Sequence, residues 1–200
     1  MTPTVDVCNL ALAHIGQAAT ISAVDPPEGS VYAELCAHMY PLAMGVLLEA
    51  HPWSFATVTE QLTPLVETRP GWLACYAEPA ACLRIWNLSD TPDGEPIDYE
   101  RQAGNPSPVL ICTNTAQAFV RYTRASPVPQ VLPPLFKNAL AYQLASLIAG
   151  PIVKGDTGAR VAQEMLKLAL HARGQAAESD ANQGRQSAPL HVPVWIAGRA

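Results

Sequence analysis

Leu47-Leu48-Glu49-Ala50-His51-Pro52-Trp53-Ser54-Phe55-Ala56 is the stretch across which the chain changes its hydrophobic period, and that change decides the fold class. Upstream of it, Val31, Leu35, Met39, Leu42 and Val46 recur at helical spacing behind Ser30, whose hydroxyl suits an N-cap. Pro41 falls inside this helix, where a proline removes one hydrogen bond and costs about 3 kcal/mol, so a kink with compensating packing is expected. Downstream, from Thr57 to about Thr123, short apolar or β-branched runs alternate with Pro, Gly, Asn and Asp clusters, the pattern of strands. Trp53 and Phe55 therefore stand at a joint between helix and sheet. Aromatic rings at such a place are expected to pack the joint and fix its angle rather than to form a ligand cage, which makes Pro52, Trp53 and Phe55 a structural signature.

Working outward, strands are expected near Thr57 to Leu62, Trp72 to Ala77, Leu83 to Leu88, Ile97 to Glu100, Val109 to Thr113 and Ala118 to Thr123, as a small antiparallel sheet. Turns at Pro70-Gly71, Pro92-Asp93-Gly94 and Gly104-Asn105-Pro106 separate them. Before the quoted stretch, Val5, Cys8, Leu12 and Ile15 mark a short amphipathic helix that Gly16 stops. After the strands, a connector from Pro127 to Pro134 places Pro133 and Pro134 in the first turn of a third helix, where a missing N–H is harmless. From Leu135 to Ile148 only Lys137, Asn138, Gln143 and Ser146 are polar, so this should be the most buried helix. Pro151 and the Gly155 region are expected to end it. Asp156 or Thr157 can then cap a fourth helix, with Val161, Met165, Leu168 and Ala172 on one face and Arg160, Glu164, Lys167 and His171 on the other. Past Gly174 the composition turns polar and nothing periodic continues the helix. A polar tail by itself reads as disordered, whereas the terminal apolar cluster Leu190, Val192, Val194, Trp195 and Ile196, with Arg199, reads as a docking arm, the preferred expectation. Periodicity gives the class α+β.

Two hundred residues suffice for one compact domain with an insertion. Charged residues are 14 % of the chain, against roughly 25 % in ordinary soluble domains, while hydrophobic residues are 49 %. Such a surface suits a subunit partly covered by neighbours, the alternative being burial inside one chain; with the resemblance given below, a homo-oligomer is expected. The net charge of −5 argues against a protein that holds phosphates, although duplex DNA could pass transiently without sticking. The five cysteines, Cys8, Cys36, Cys75, Cys82 and Cys112, lack the spacing of a disulfide framework or zinc site and read as reduced, buried thiols. Met1 to Asp6 lacks the basic stretch of a signal peptide, and charges or prolines break every stretch of membrane-spanning length, so no membrane is expected. Synthesis and storage in a reducing cytosol follow.

Cys8-Asn9-Leu10-Ala11-Leu12-Ala13-His14-Ile15-Gly16, the Pro52-Trp53-Ser54-Phe55-Ala56 signature, Gly71-Trp72, Tyr76, Pro79, Cys82-Leu83-Arg84, Arg121-Tyr122-Thr123, Pro134-Leu135-Phe136 and Ala139 to Ala145 come in an order that resembles the tail tubular protein A family of podoviruses. The resemblance spans almost the whole chain. Ala81 departs from it, since relatives tend to carry an acidic residue there. It implies a helical bundle of about four helices, in two parts over 1–56 and 131–175, interrupted by a small antiparallel β-domain over 57–130, with an extended C-terminal docking arm over 176–200. It further implies a head-to-tail adaptor of a short-tailed bacteriophage. Such a protein is made in the bacterial host cytoplasm and sits in the neck of the virion as a dodecameric ring between portal protein and tail nozzle protein, through which double-stranded DNA is ejected.

Chemistry has little support in the sequence. Cys36 and His38 point to different sides of one helix, and Cys8 and His14 are no better placed to converge on zinc. No signature surrounds any cysteine as a nucleophile, and no Gly-X-Ser-X-Gly elbow, phosphate-binding glycine loop or His-Glu-X-X-His helix occurs. Asp90, Asp93, Glu95 and Asp98 crowd a turn-rich loop that reads as a solvated hairpin tip. The expectation is a non-enzyme without cofactor or metal, whose portal or neighbour interface uses Leu190, Val192, Val194, Trp195, Ile196, Arg199, Arg160 and Lys167. The alternatives are a DNA-packaging or DNA-binding accessory protein, marked by salt-dependent affinity for duplex DNA, and a tail hydrolase, which needs paired carboxylates in a cleft.

Overall fold

Helices bracket the strands in a computed structural model that describes residues 3–66, 68–104, 109–126 and 132–183. The order is α1 (Pro3–His14), α2 (Val31–Ala50), β1 (Thr57–Gln61), β2 (Ala74–Ala77), β3 (Cys82–Ser89), β4 (Tyr99–Ala103), β5 (Val109–Thr113), β6 (Phe119–Arg124), α3 (Pro134–Val153) and α4 (Gly155–Asn182). The α+β class and the interrupted helical bundle are both found, and all six expected strands form. Of the C-terminal arm expected over 176–200, residues 176–182 belong to α4 and residues 184–200 lie outside the described residues.

Each helix end has a local cause. Gly16, at φ +76, turns the chain out of α1 through a left-handed position that a side chain would resist. The Asn9 amide then holds the following loop, donating to the Ile21 carbonyl (2.9 Å) and accepting from the Ile21 N–H (3.0 Å). Ser30 caps α2 as expected, its hydroxyl accepting from the Ala33 N–H at 3.2 Å. Pro133 and Pro134 open α3. Of the two expected stops, Pro151 lies inside that helix near its end, forgoing the N–H bond that another residue would give to the carbonyl four residues back, and the Gly155 region is where the helix does end. Lys154, at φ +60, makes the break, and its N–H donates to the Gly150 carbonyl at 3.0 Å. With the turn built by the backbone, α4 starts at Gly155, and neither Asp156 nor Thr157 acts as its cap.

The third helix is the axis of the bundle, with Phe136, Leu140, Leu144 and Ile148 fully enclosed and α1, α2 and α4 packed around it. Gly158 lets α4 approach closely: a Cβ there would lie 3.3 Å from the Ala149 and Gly150 carbonyl oxygens. Met165, Ala169, Ala172, Ala176 and Asp180 continue the buried seam, so α4 runs to Asn182, beyond the expected boundary at 175. The polar composition after Gly174 concealed this because small alanines at helical spacing are enough when a neighbouring helix supplies the apolar surface.

The strands make two three-stranded antiparallel sheets, β1-β6-β3 and β2-β5-β4, where a single sheet was expected. Tyr76 and Ile111 of one pack against Ile85, Leu88, Val120 and Tyr122 of the other, so the pair closes over its own core. Cys75 and Cys112, opposite one another in the β2/β5 register with Cα atoms 4.2 Å apart, are joined in a disulfide, contrary to the all-reduced expectation. Sequence spacing could not reveal that pair, because strand register alone brings them together. Cys8, Cys36 and Cys82 are free.

Candidate interaction surface

The quoted stretch forms the joint between bundle and β-domain. Trp53 is buried, with its ring edge-on to Phe136 at 4.9 Å, and Phe55 meets the same Phe136 at 4.9 Å. The Trp53 indole Nε1–H donates to the Leu47 carbonyl at 2.8 Å, satisfying a carbonyl left free at the end of α2. From the β-side, Arg84 lies over the Trp86 ring at 4.1 Å and donates to the Glu49 carbonyl at 2.7 Å. Core packing of Trp53 and Phe55 is thus as the sequence reading had it.

Sequence reading missed the other half of the joint. Asp180, buried near the end of α4, accepts from the Ser54 N–H (3.0 Å) and the Ser54 hydroxyl (2.6 Å), and its carboxylate lies 3.4 Å from His51 Nε2. A small apolar cavity of about 170 Å³ opens beside this latch, between Trp53, Leu135, Phe136 and Ala176, with Gln183 at its rim. The signal available in the sequence was a lone acid in a run of alanines, which carries no pattern by itself.

Two helical faces remain uncovered. On α2, Val31 is 75 %, Leu42 55 % and Val46 41 % exposed, while Ala33, Cys36, Ala43, Met44, Leu47 and Leu48 enter the core. Of the stripe that the sequence marks, Val31, Leu42 and Val46 therefore face outward, while Leu35 and Met39 are partly buried against the core. Both faces of the helix are apolar, so periodicity could not rank them. By length and composition α2 could cross a membrane, with mean hydropathy 1.3, because Pro41 stays within the helix and does not break the stretch as expected. On α4, Leu166 and Leu170 are 43 % and 49 % exposed. Arg160, Glu164, Lys167 and His171 are exposed, as expected for the polar face, and Leu168 lies at its margin instead of in the core. Leu190, Val192, Val194, Trp195, Ile196 and Arg199 lie outside the described residues.

Chemically competent constellations are sparse. A polar groove of about 560 Å³ runs between the β1/β6/β3 sheet and the loop at Pro92 to Gly94; among the described residues lining it, Asp93 is the one carboxylate. Among the described residues no group of three or more His, Cys, Asp or Glu is placed to hold a metal. The Cys8 thiol, hydrogen-bonded with Cys36 and buried, is held well above the ordinary thiol range, and burial pushes Cys82 up to about 11. Neither has the low-pKa setting of a nucleophile. No family model matches the chain, and no curated protein matches it.

Proposed function

We propose that the chain is a structural adaptor of a short-tailed bacteriophage, a subunit of the ring that joins portal to tail nozzle and passes DNA on ejection. The observation that carries this reading is the layout. The resemblance to the tail tubular protein A family implies a helical bundle split by an antiparallel insertion, and the chain folds as four helices around two small sheets, with Trp53 of the quoted signature at the core of the joint. The low charge of 14 % and the uncovered α2 and α4 faces suit a subunit whose neighbours complete its surface.

In this reading the function is assembly without turnover. Subunits, twelve by the resemblance, dock on the portal through the arm around Trp195 and Arg199, with Arg160 and Lys167 available to an acidic partner surface, and the β-domain loops face the nozzle protein. Ordering of the arm is offset only when its apolar anchors find a groove, which favours rings seated on a portal over free subunits. The net charge of −5 lets a duplex slide through without being held.

Electron microscopy of the purified protein with and without portal tests the reading: closed rings seated on portals are expected, and a chain that forms no ring and ignores portals discards it. Truncation after Gln183 preserves α4 and the Asp180 latch, and is expected to abolish portal binding. Unchanged binding would remove the arm from the mechanism and spare the adaptor. Tight, salt-dependent binding to duplex DNA would move the assignment to a packaging or DNA-binding accessory protein.

A further inference from the structure

The outer face of α2 and the outer face of α4 differ in charge as well as position. Within α2, Glu34 follows Val31, and Glu49 follows Val46, by one turn, so both carboxylates border the exposed apolar stripe; the helix contains no Lys or Arg. On α4, Leu166 and Leu170 are flanked by Arg173, one turn beyond Leu170, and by Lys167 with Arg160 along the other edge, while the exposed acids lie farther off, Glu164 round the helix and Asp156 and Glu178 toward its two ends. Both helices pack on α3 and make no comparable contact with each other. One subunit therefore carries an acidic-edged apolar ridge and, elsewhere on its bundle, a basic-edged one.

We propose that the α2 face of one copy docks on the α4 face of the next copy of this chain. The inference rests on the ring reading and names its interface. A contact between two different patches is heterologous: each subunit uses each patch once, and the contact propagates until rotation closes a ring. Unlike charges at the edges fix register and disfavour α2 on α2 or α4 on α4. A lipid surface is the rival occupant of α2. Interfacial helices carry Lys and Arg along the polar face, however, whereas this one offers Glu34 and Glu49.

Two blocked proteins test the pairing. The first carries Leu42→Lys with Val46→Lys, the second Leu166→Glu with Leu170→Glu; all four positions are exposed, so unchanged thermal melts are expected to confirm folding. By sedimentation velocity at a concentration where the wild type assembles, each blocked protein alone is expected to be a monomer. Their equimolar mixture is expected to form a 1:1 dimer and nothing larger, because only one intact α2 face and one intact α4 face remain, and the dimer should weaken as salt rises. Assembly of either blocked protein like wild type places the interface elsewhere and leaves the ring reading standing. Dimers of the second protein alone would mean α2 on α2. A mixture that stays monomeric overturns the pairing, as does a wild type that never assembles by itself; in that case microscopy with portal decides the ring reading separately. Wild type floating with phosphatidylcholine vesicles, lost in the first protein, would give the face to lipid.

Discussion

Asp180 holds Ser54 across 126 residues of sequence, accepting its backbone N–H at 3.0 Å and its hydroxyl at 2.6 Å. The turn so held begins the β-domain, while the carboxylate belongs to the last turns of the bundle. Replacing Asp180 with Ala leaves a backbone donor without its partner, and the expected loss is about 1–3 kcal/mol. Urea unfolding of Asp180→Ala, Ser54→Ala and the double variant measures it, with strong coupling expected between the two sites. Additive losses would mean that the latch does not act as a unit.

Trp53 does two jobs at the same joint, packing against Phe136 and closing the Leu47 carbonyl. Trp53→Ala is expected to lose about 3–5 kcal/mol and to yield largely insoluble protein. Trp53→Phe keeps part of the packing and loses the indole donor, so its loss should be much smaller. Equal losses from the two substitutions would show that the hydrogen bond, rather than ring packing, dominates.

How far the residues themselves announced this fold depends on what each pattern measures. Ser30, Gly16, Pro134 and the six strand runs act through local chemistry, and each lies where its local preference places it. The sequence marks Val31, Leu42 and Val46 as an apolar stripe without fixing which way it faces, because they are as apolar as the residues that do enter the core; only α3, distant in sequence, selects the face. The last turns of α4 were read as irregular since Ala172, Ala176 and Asp180 carry no strong pattern without the partner helix they lie against. The Cys75 to Cys112 bond was hidden because register, not spacing, makes it. The candidate interface was legible only in part. Arg160 and Lys167 were found as exposed charges, whereas the apolar ridges beside them appear only once the core has claimed the other faces.

The Cys75 to Cys112 pair closes a loop with a sequence separation of 37 and sits in a small cluster with Leu110, Leu65 and Trp72. Protein prepared without reductant and then denatured is expected to present three reactive thiols, those of Cys8, Cys36 and Cys82. Replacing both bonded cysteines with Ser should lower stability by about 2–4 kcal/mol, since a cross-link restricts the unfolded chain. Five reactive thiols in air-handled protein would show that the two cysteines remain reduced.

His14 supplies a pH dependence whose sign can be worked out. Its ring stacks on Tyr142 with centroids 4.1 Å apart, its Nε2 is buried without a hydrogen-bond partner, and burial holds its pKa below the ordinary value of 6.5. The unfolded chain therefore takes up a proton near pH 6.5, and the folded chain does so only at lower pH. Stability is undiminished by this group above that value and is lost as pH falls from it toward the folded pKa. Glu28 shifts the same way, its carboxyl held below the usual 4.5 first by the Ser22 hydroxyl and then by the Ser22 N–H and by Ser30, so its contribution is lost only at more acid pH. The two windows separate. Unfolding free energies measured from pH 7.5 to pH 5 should fall more steeply for the wild type than for His14→Phe, which keeps an aromatic ring on Tyr142 and cannot titrate. Parallel curves would mean that the imidazole gains its proton equally well in the folded chain, and that its enclosure beside Tyr142 is looser than the stack indicates.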